Sequence, residues 1–300
     1  MGFGPSNKFL LTWSRVEQEY QTDAFHGTHV SALMVYDDPR IGLIGFRVLP
    51  VNLKFKNGEK DRSDSKTEKI FKDILSAMEL AINSGARVIN MSLALHASET
   101  NIFSGLLSDE QDLFNKWMLE VKKFMELHKD VVFVAAAGNE SKWVDDKVNL
   151  QIPCGISADN LVCVGALNSK GSLAAFSNIV LSDGVFVATS GVDIKSLSPE
   201  DMCDSSSLGS FNDEENLSLN DLGTILKLIQ KECKNSTSYK VASGTSMSSP
   251  IVARTIAQLM MKYPKANGVE IIKILVDSAQ KRQLGPLLLN IIPFEKPSWY

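Results

Sequence analysis

The chain has no apolar run long enough to span a bilayer, no excess of either charge and few cysteines, and each shortage excludes something. The most apolar stretch near the C-terminus, 284–294, is short and interrupted by Pro286 and Pro293, so no transmembrane helix is expected. With 31 basic against 35 acidic residues the net charge is −4, which gives no electrostatic reason to expect a nucleic-acid partner. The first residues lack a basic patch followed by an apolar core, so they do not read as a signal peptide. The chain is then either intracellular or written without its leader. Four cysteines leave two readings open. Cys154 lies close to Cys163, and Cys203 and Cys233 flank one polar segment, which suits two local disulfides in an oxidising compartment; the other reading is four free thiols. No internal repeat and no linker divides the 300 residues, so one domain is expected over 1–300.

What is present is an alternation of strand and helix patterns. A strand is expected over 44–51. Apolar residues at Ile70, Ile74, Met78, Ala81 and Ile82 repeat at helical spacing over 67–84, with Gly85 placed to end the helix. Apolar segments at 87–93, 131–137, 162–166 and 185–188 read as buried strands, and 109–128, 246–261 and 269–279 as helices. Wholly apolar strands alternating with helices indicate a parallel sheet covered on both faces, hence an α/β fold in three layers with a mainly parallel central sheet. The charged stretch 54–66 reads as a solvent loop. The polar segment 196–238, rich in Ser, Asp, Glu and Asn, reads as an insertion.

Three short motifs fall in order on this framework. His26-Gly27-Thr28-His29-Val30 is weak evidence alone, since a histidine beside a glycine often merely starts a helix. Ala135-Ala136-Ala137-Gly138-Asn139 ends a buried strand in an amide, which either makes a turn or aims its NH2 group at a developing oxyanion. Gly244-Thr245-Ser246-Met247-Ser248-Ser249-Pro250 precedes an apolar helix, where a serine is a common N-cap.

Taken together, the three resemble the histidine, oxyanion and nucleophile motifs of the subtilase family of serine peptidases, in the family's order, and 88–93 resembles its substrate-binding strand. The resemblance runs from about residue 23 to the C-terminus, thinning in the insertion and after Met261. It implies a subtilisin-like fold and an endopeptidase. Ser246 would be the nucleophile, His26 the general base and Asn139 an oxyanion donor; Ser92, Leu93, Ala94 and Gly138 would bind the P1 residue, whose carbonyl is attacked. It further implies a polypeptide substrate, no cofactor, and a secretory compartment, towards which the cysteine placement also points. Oligomeric state is not implied.

The sequence departs from the pattern at the triad aspartate. Subtilases carry it on a strand well upstream of the histidine, usually before Ser/Thr and Gly. Only Glu17, Glu19 and Asp23 are acidic before His26, and none has that context. Asp23 is the nearest substitute. Two expectations follow: a catalytic domain incomplete at its N-terminus, or a pseudoenzyme kept for peptide binding or regulation. Ala94 and Leu95 stand where glycine is usual, which predicts a narrowed P1 pocket. The loop that often holds a structural calcium is absent, and the scattered carboxylates assign no calcium site. An α/β-hydrolase esterase is excluded: Ser248 occupies the last position of the Gly-x-Ser-x-Gly elbow, and no histidine follows Ser246.

Overall fold

The computed structural model describes residues 24–48, 64–96, 107–144, 150–181, 183–198, 238–280 and 292–293. Five helices are described: α1 (Ala24–Val35), α2 (Asp64–Asn83), α3 (Leu107–Leu127), α4 (Thr245–Lys262) and α5 (Gly268–Gln280). The strands are β1 (Val88–Met91), β2 (Leu95–His96), β3 (Val132–Ala136), β4 (Trp143–Val144), β5 (Gln151–Ile152), β6 (Leu161–Leu167), β7 (Ile179–Val180), β8 (Val185–Ser190), β9 (Ile194–Ser198), β10 (Ser238–Ala242) and β11 (Ile292–Pro293).

The central sheet has the order β1-β3-β6-β8-β11. The first four strands run parallel, and β11 pairs antiparallel with β8 at one edge. β3 and β6 are buried throughout, because helices cover both faces and neither face can carry polar side chains. Alternation along β3 sorts its residues into two cores. Phe133 and Ala135 join the apolar cluster of Phe71, Met78, Trp117 and Met125 from α2 and α3. Val132 and Val134 join Val252, Ile256, Ile271 and Leu275 from α4 and α5. This is the expected three-layer α/β sandwich. α2 ends as its sequence predicts: Gly85 adopts φ +89°, and the N–H groups of Gly85 and Ala86 donate to the carbonyls of Ile82 and Ala81 at 2.8 and 3.0 Å. A disulfide joins Cys154 to Cys163, so the free-thiol reading fails for that pair; Cys203 and Cys233 lie outside the described residues.

One expectation is corrected. Residues 44–48 form no strand beyond a single bridge at Ile44, and 49–51 lie outside the described residues. The two ends of the polar segment 196–238 are regular structure. Ser196–Ser198 and Ser238 belong to a two-stranded antiparallel ribbon of β9 and β10, with Ser198 paired to Ser238. Leu197, Tyr239 and Val241 face solvent on one side of that ribbon, while Ile194 and Ala242 pack on α1 with Val30, Leu33 and Met247.

Candidate active site

The site forms where β1, β3, α1 and α4 end or begin. Parallel strands all release their chains at the carboxyl edge of the sheet, and here β1 releases Ser92 and β3 releases Gly138 and Asn139 beside the N-terminus of α4. α4 starts at Thr245 behind Gly244, whose φ of +156° with ψ of 159° is open to glycine and strained for other residues. The Gly244 N–H donates to the Gly191 carbonyl at 2.8 Å. Gly191 must itself be glycine, since a Cβ there would meet the Ser248 hydroxyl and the Cβ of Ala166. Ser246 therefore sits in the first turn of a helix whose free N–H groups favour negative charge.

Asn139 is held by that first turn. Its Oδ1 accepts from the Thr245 N–H at 2.9 Å and the Thr245 hydroxyl at 3.1 Å, while the same hydroxyl accepts from the Gly138 N–H at 3.0 Å. With the carbonyl end so committed, the Asn139 NH2 group must face the other way and remains a donor. Asn139 is exposed and Thr245 fully buried, so a solvent-facing amide is steered from beneath.

Ser92 anchors the nucleophile segment from the opposite side. Its hydroxyl lies 2.9 Å from both the Ser246 carbonyl, to which it donates, and the Ser249 hydroxyl, and it accepts from Asn90 Nδ2 at 3.0 Å. Ser246 Oγ makes one long contact, 3.4 Å to the Ser92 carbonyl. The Ser92 side chain is thus directed at α4, while Leu93 and Ala94 continue half-buried to β2.

His26 lies in the first turn of α1, which packs against α4 and β9. It precedes by one turn Val30, which meets Met247, the neighbour of Ser246. The described residues give His26 no hydrogen bond to Ser246 or to a carboxylate. Desolvation first, and the nearby His29 second, hold its imidazole below the ordinary histidine value. His29 is fully buried, and its Nε2 donates to the carbonyls of Ile194 and Lys240 at 3.1 and 3.2 Å, tying α1 to the ribbon. The far end of α1 is clamped to α4: Gln258 donates to Asp38 at 3.1 Å and Arg254 to the Tyr36 carbonyl at 3.2 Å. Arg40 binds the same Asp38 through both carboxylate oxygens and, with Gln258, holds its carboxyl well below the usual range.

Of the expected residues, the structure brings Ser246, Asn139, Gly138 and Ser92 into one hydrogen-bonded cluster and sets His26 on the adjoining helix. Asp23, Glu17 and Glu19 lie outside the described residues. Among those described, no group of three or more His, Cys, Asp or Glu is placed to hold a metal ion, and no helix is long and apolar enough to cross a membrane. Sequence reasoning missed the tasks of Thr245, Asn178 and Gln151. Thr245 could have been found from its place beside the nucleophile; Asn178 and Gln151 carry no local signal.

A family model described as the Subtilase family, peptidase S8, matches residues 11–291. A thermophilic serine proteinase of Bacillus sp. (strain AK1) is 30% identical over 176 residues, which is 57% of this chain and 35% of that protein. Subtilisin DY of Bacillus licheniformis is 26% identical over 257 residues, 85% of this chain and 70% of that protein. Among solved structures, a lanthipeptide protease has a TM-score of 0.56 at 19% identity, covering 85% of this chain and 67% of that one. The MycP3 protease of the type VII (ESX-3) secretion system has a TM-score of 0.54 at 20% identity, covering 90% and 71%. These two likenesses speak to the fold. The family match spans nearly the whole sequence, and the chain belongs to the subtilase family.

Proposed function

We propose that this chain is a serine endopeptidase that cleaves polypeptides through an acyl-enzyme on Ser246. Ser246 Oγ attacks the scissile carbonyl carbon while His26 takes its proton. The oxyanion is met by the Asn139 NH2 group and the Ser246 backbone N–H. His26 then protonates the leaving amine, and a water attacks the acyl ester with His26 again as base. Ser92, Leu93, Ala94 and Gly138 flank the P1 residue. The reading needs no cofactor and no nucleic acid, and the Cys154–Cys163 disulfide fits an oxidising compartment.

The observation that carries it is the double hydrogen bond from Thr245 to Asn139 Oδ1. It turns the amide donor outward one residue from Ser246, which a mere turn-forming asparagine would not require. His26 supports the same reading, because its lowered pKa keeps the imidazole neutral and able to accept a proton. Labelling of the full chain with a fluorophosphonate, together with peptide hydrolysis, tests it. Ser246→Ala is expected to abolish both signals with an unchanged circular dichroism spectrum. Undiminished cleavage by that variant refutes the assignment.

A second reading has one observation in its favour: among the described residues, no carboxylate orients His26. Loss of the orienting carboxylate costs subtilisin about 3 × 10⁴ in kcat. A protein without one would bind extended peptides and turn them over poorly. Tight peptide binding with a kcat depressed by about that factor identifies this second case.

A further inference from the structure

Two sets of buried polar contacts lie behind the proposed chemistry without touching a substrate. One braces the Gly138–Glu140 turn: Asn178 Oδ1 accepts from the N–H groups of Glu140 and Lys142 at 3.0 and 2.9 Å, and its Nδ2 donates to Gln151 Oε1 at 3.4 Å. The other lies at the far end of α1, where Tyr36 and Asp38 meet Arg254 and Gln258 of α4. Asp38 is buried, and its carboxylate is fixed within its own turn. Oδ1 accepts from the Arg40 backbone N–H at 3.2 Å and from Arg40 Nε at 2.8 Å, and Oδ2 accepts from Arg40 Nη2 at 2.7 Å. The Asp38 N–H donates to the Val35 carbonyl at 3.2 Å, closing α1. Gln258 Nε2 reaches the same Oδ2 from α4 at 3.1 Å. Arg254 is buried, donates to the Tyr36 carbonyl at 3.2 Å and lies 5.7 Å from the centre of the Tyr36 ring.

α1 and α4 run side by side in the same direction. Val30 and Leu33 pack with Met247 near the two N-terminal ends, and Tyr36 and Asp38 meet Arg254 and Gln258 further along. His26 stands in the first turn of one helix and Ser246 in the first turn of the other. At about 1.5 Å per residue, the end of α1 stands about 14 Å beyond His26 and Arg254 about 12 Å beyond Ser246. The clamp therefore joins two nearly equal lengths, each running from one of the two reacting side chains. Apolar contacts such as Val30 on Met247 are non-directional and tolerate sliding. A hydrogen bond to a fixed carboxylate tolerates only a few tenths of an ångström.

We infer that Asp38 and Gln258 are positioning residues: by fixing the register of α1 on α4 they set the distance between the His26 imidazole and Ser246 Oγ. The inference rests on the proposed roles of that pair. A misplacement of about 1 Å at the reacting groups costs about 10²-fold in rate. Loss of the Gln258 bond leaves Arg254 in place, so a shift of about half that size and a loss of about tenfold in kcat are expected. KM should hold, because 92–94 and Gly138 follow β1 and β3 and are not carried by α1.

The test compares the full chain with three variants. Gln258→Met keeps length and charge and removes the donor, Gln258→Asn is one methylene too short to reach, and Gln258→Lys restores a donor to Asp38. Peptide hydrolysis and the NMR titration of the His26 ring are measured where urea curves show each protein folded. Gln258→Met and Gln258→Asn are expected to lose about tenfold in kcat with KM within about twofold, and Gln258→Lys to regain most of the loss. Desolvation and His29 hold the His26 imidazole below 6.5, so a displaced α1 should move its titration up towards that value. Met and Asn are both neutral, which excludes a direct effect of charge. A parent-like kcat in Gln258→Met overturns the inference, as does a loss confined to KM or a His26 titration that does not move. Failure of the catalytic reading shows differently, as a parent chain that neither takes the fluorophosphonate label nor cleaves peptide. The His26 titration then decides the register on its own.

Discussion

Thr245 offers the sharpest test of how the site is held together. Thr245→Val keeps the shape of the side chain and replaces one hydroxyl by a methyl. Two hydrogen bonds disappear: the Gly138 N–H loses its acceptor, and Asn139 Oδ1 loses one of two donors. Gly138 is buried, so its N–H finds no water, which costs about 1–3 kcal/mol. The Asn139 bond is nearer solvent and is worth about 1 kcal/mol. The expected destabilisation is therefore about 2–4 kcal/mol. Thr245→Ser retains the hydroxyl and should cost less than about 1 kcal/mol. Urea denaturation with a common m-value measures both. Because Asn139 keeps the backbone bond from Thr245, peptidase kcat should fall less in Thr245→Val than in Asn139→Ala, for which about 10²–10³ is expected. A Thr245→Val protein within about 0.5 kcal/mol of the parent would show that the hydroxyl does not bear on the Gly138–Asn139 turn.

Other perturbations reach further from the site. Asn160 is buried and its Nδ2 donates to the carbonyls of Met125, His128 and Val131 at 2.8 to 3.1 Å, so Asn160→Ala should lower the unfolding free energy by about 2–4 kcal/mol in urea titrations. Replacing Cys154 and Cys163 by serine releases a nine-residue loop and should cost about 2–3 kcal/mol by the same measurement. His26 and His29 both titrate below the ordinary 6.5, so the folded state favours their neutral forms. The stability they supply is complete above about 6.5 and is lost as the pH falls through their folded values, read as a falling urea midpoint between pH 7 and 5. The acid limb of peptidase activity should have its midpoint below 6.5 for the same reason.

Much of this fold was legible because burial leaves a period in the sequence. α2, α3, α4 and α5 fall within three residues of their expected bounds, since each buries one stripe on a sheet whose strands are apolar throughout. The ribbon of β9 and β10 was not legible. Ile194–Ser198 and Ser238–Ala242 are half polar, and their pairing spans a long intervening segment, so neither shows the continuous apolar pattern that marks β3. The same limit applies at the site. His26, Asn139 and Ser246 stand in recognisable words, but the contacts that aim them come from single polar residues far away in the chain. Nothing near Gln151 or Asn178 in the sequence indicates that they meet, because hydrogen bonds between distant strands leave no local period.

The bonds of Thr245 and Ser92 also bear on how the molecule breathes. Gly138 and Thr245 give their amide protons to side-chain oxygens of each other's segments, not to a ladder of backbone carbonyls, and Ser92 binds the main chain of α4. Fraying at the start of α4 therefore cannot proceed one residue at a time. The ends of β1 and β3 and the head of α4 must open as one cooperative unit, so the oxyanion donor and the nucleophile lose or keep their places together.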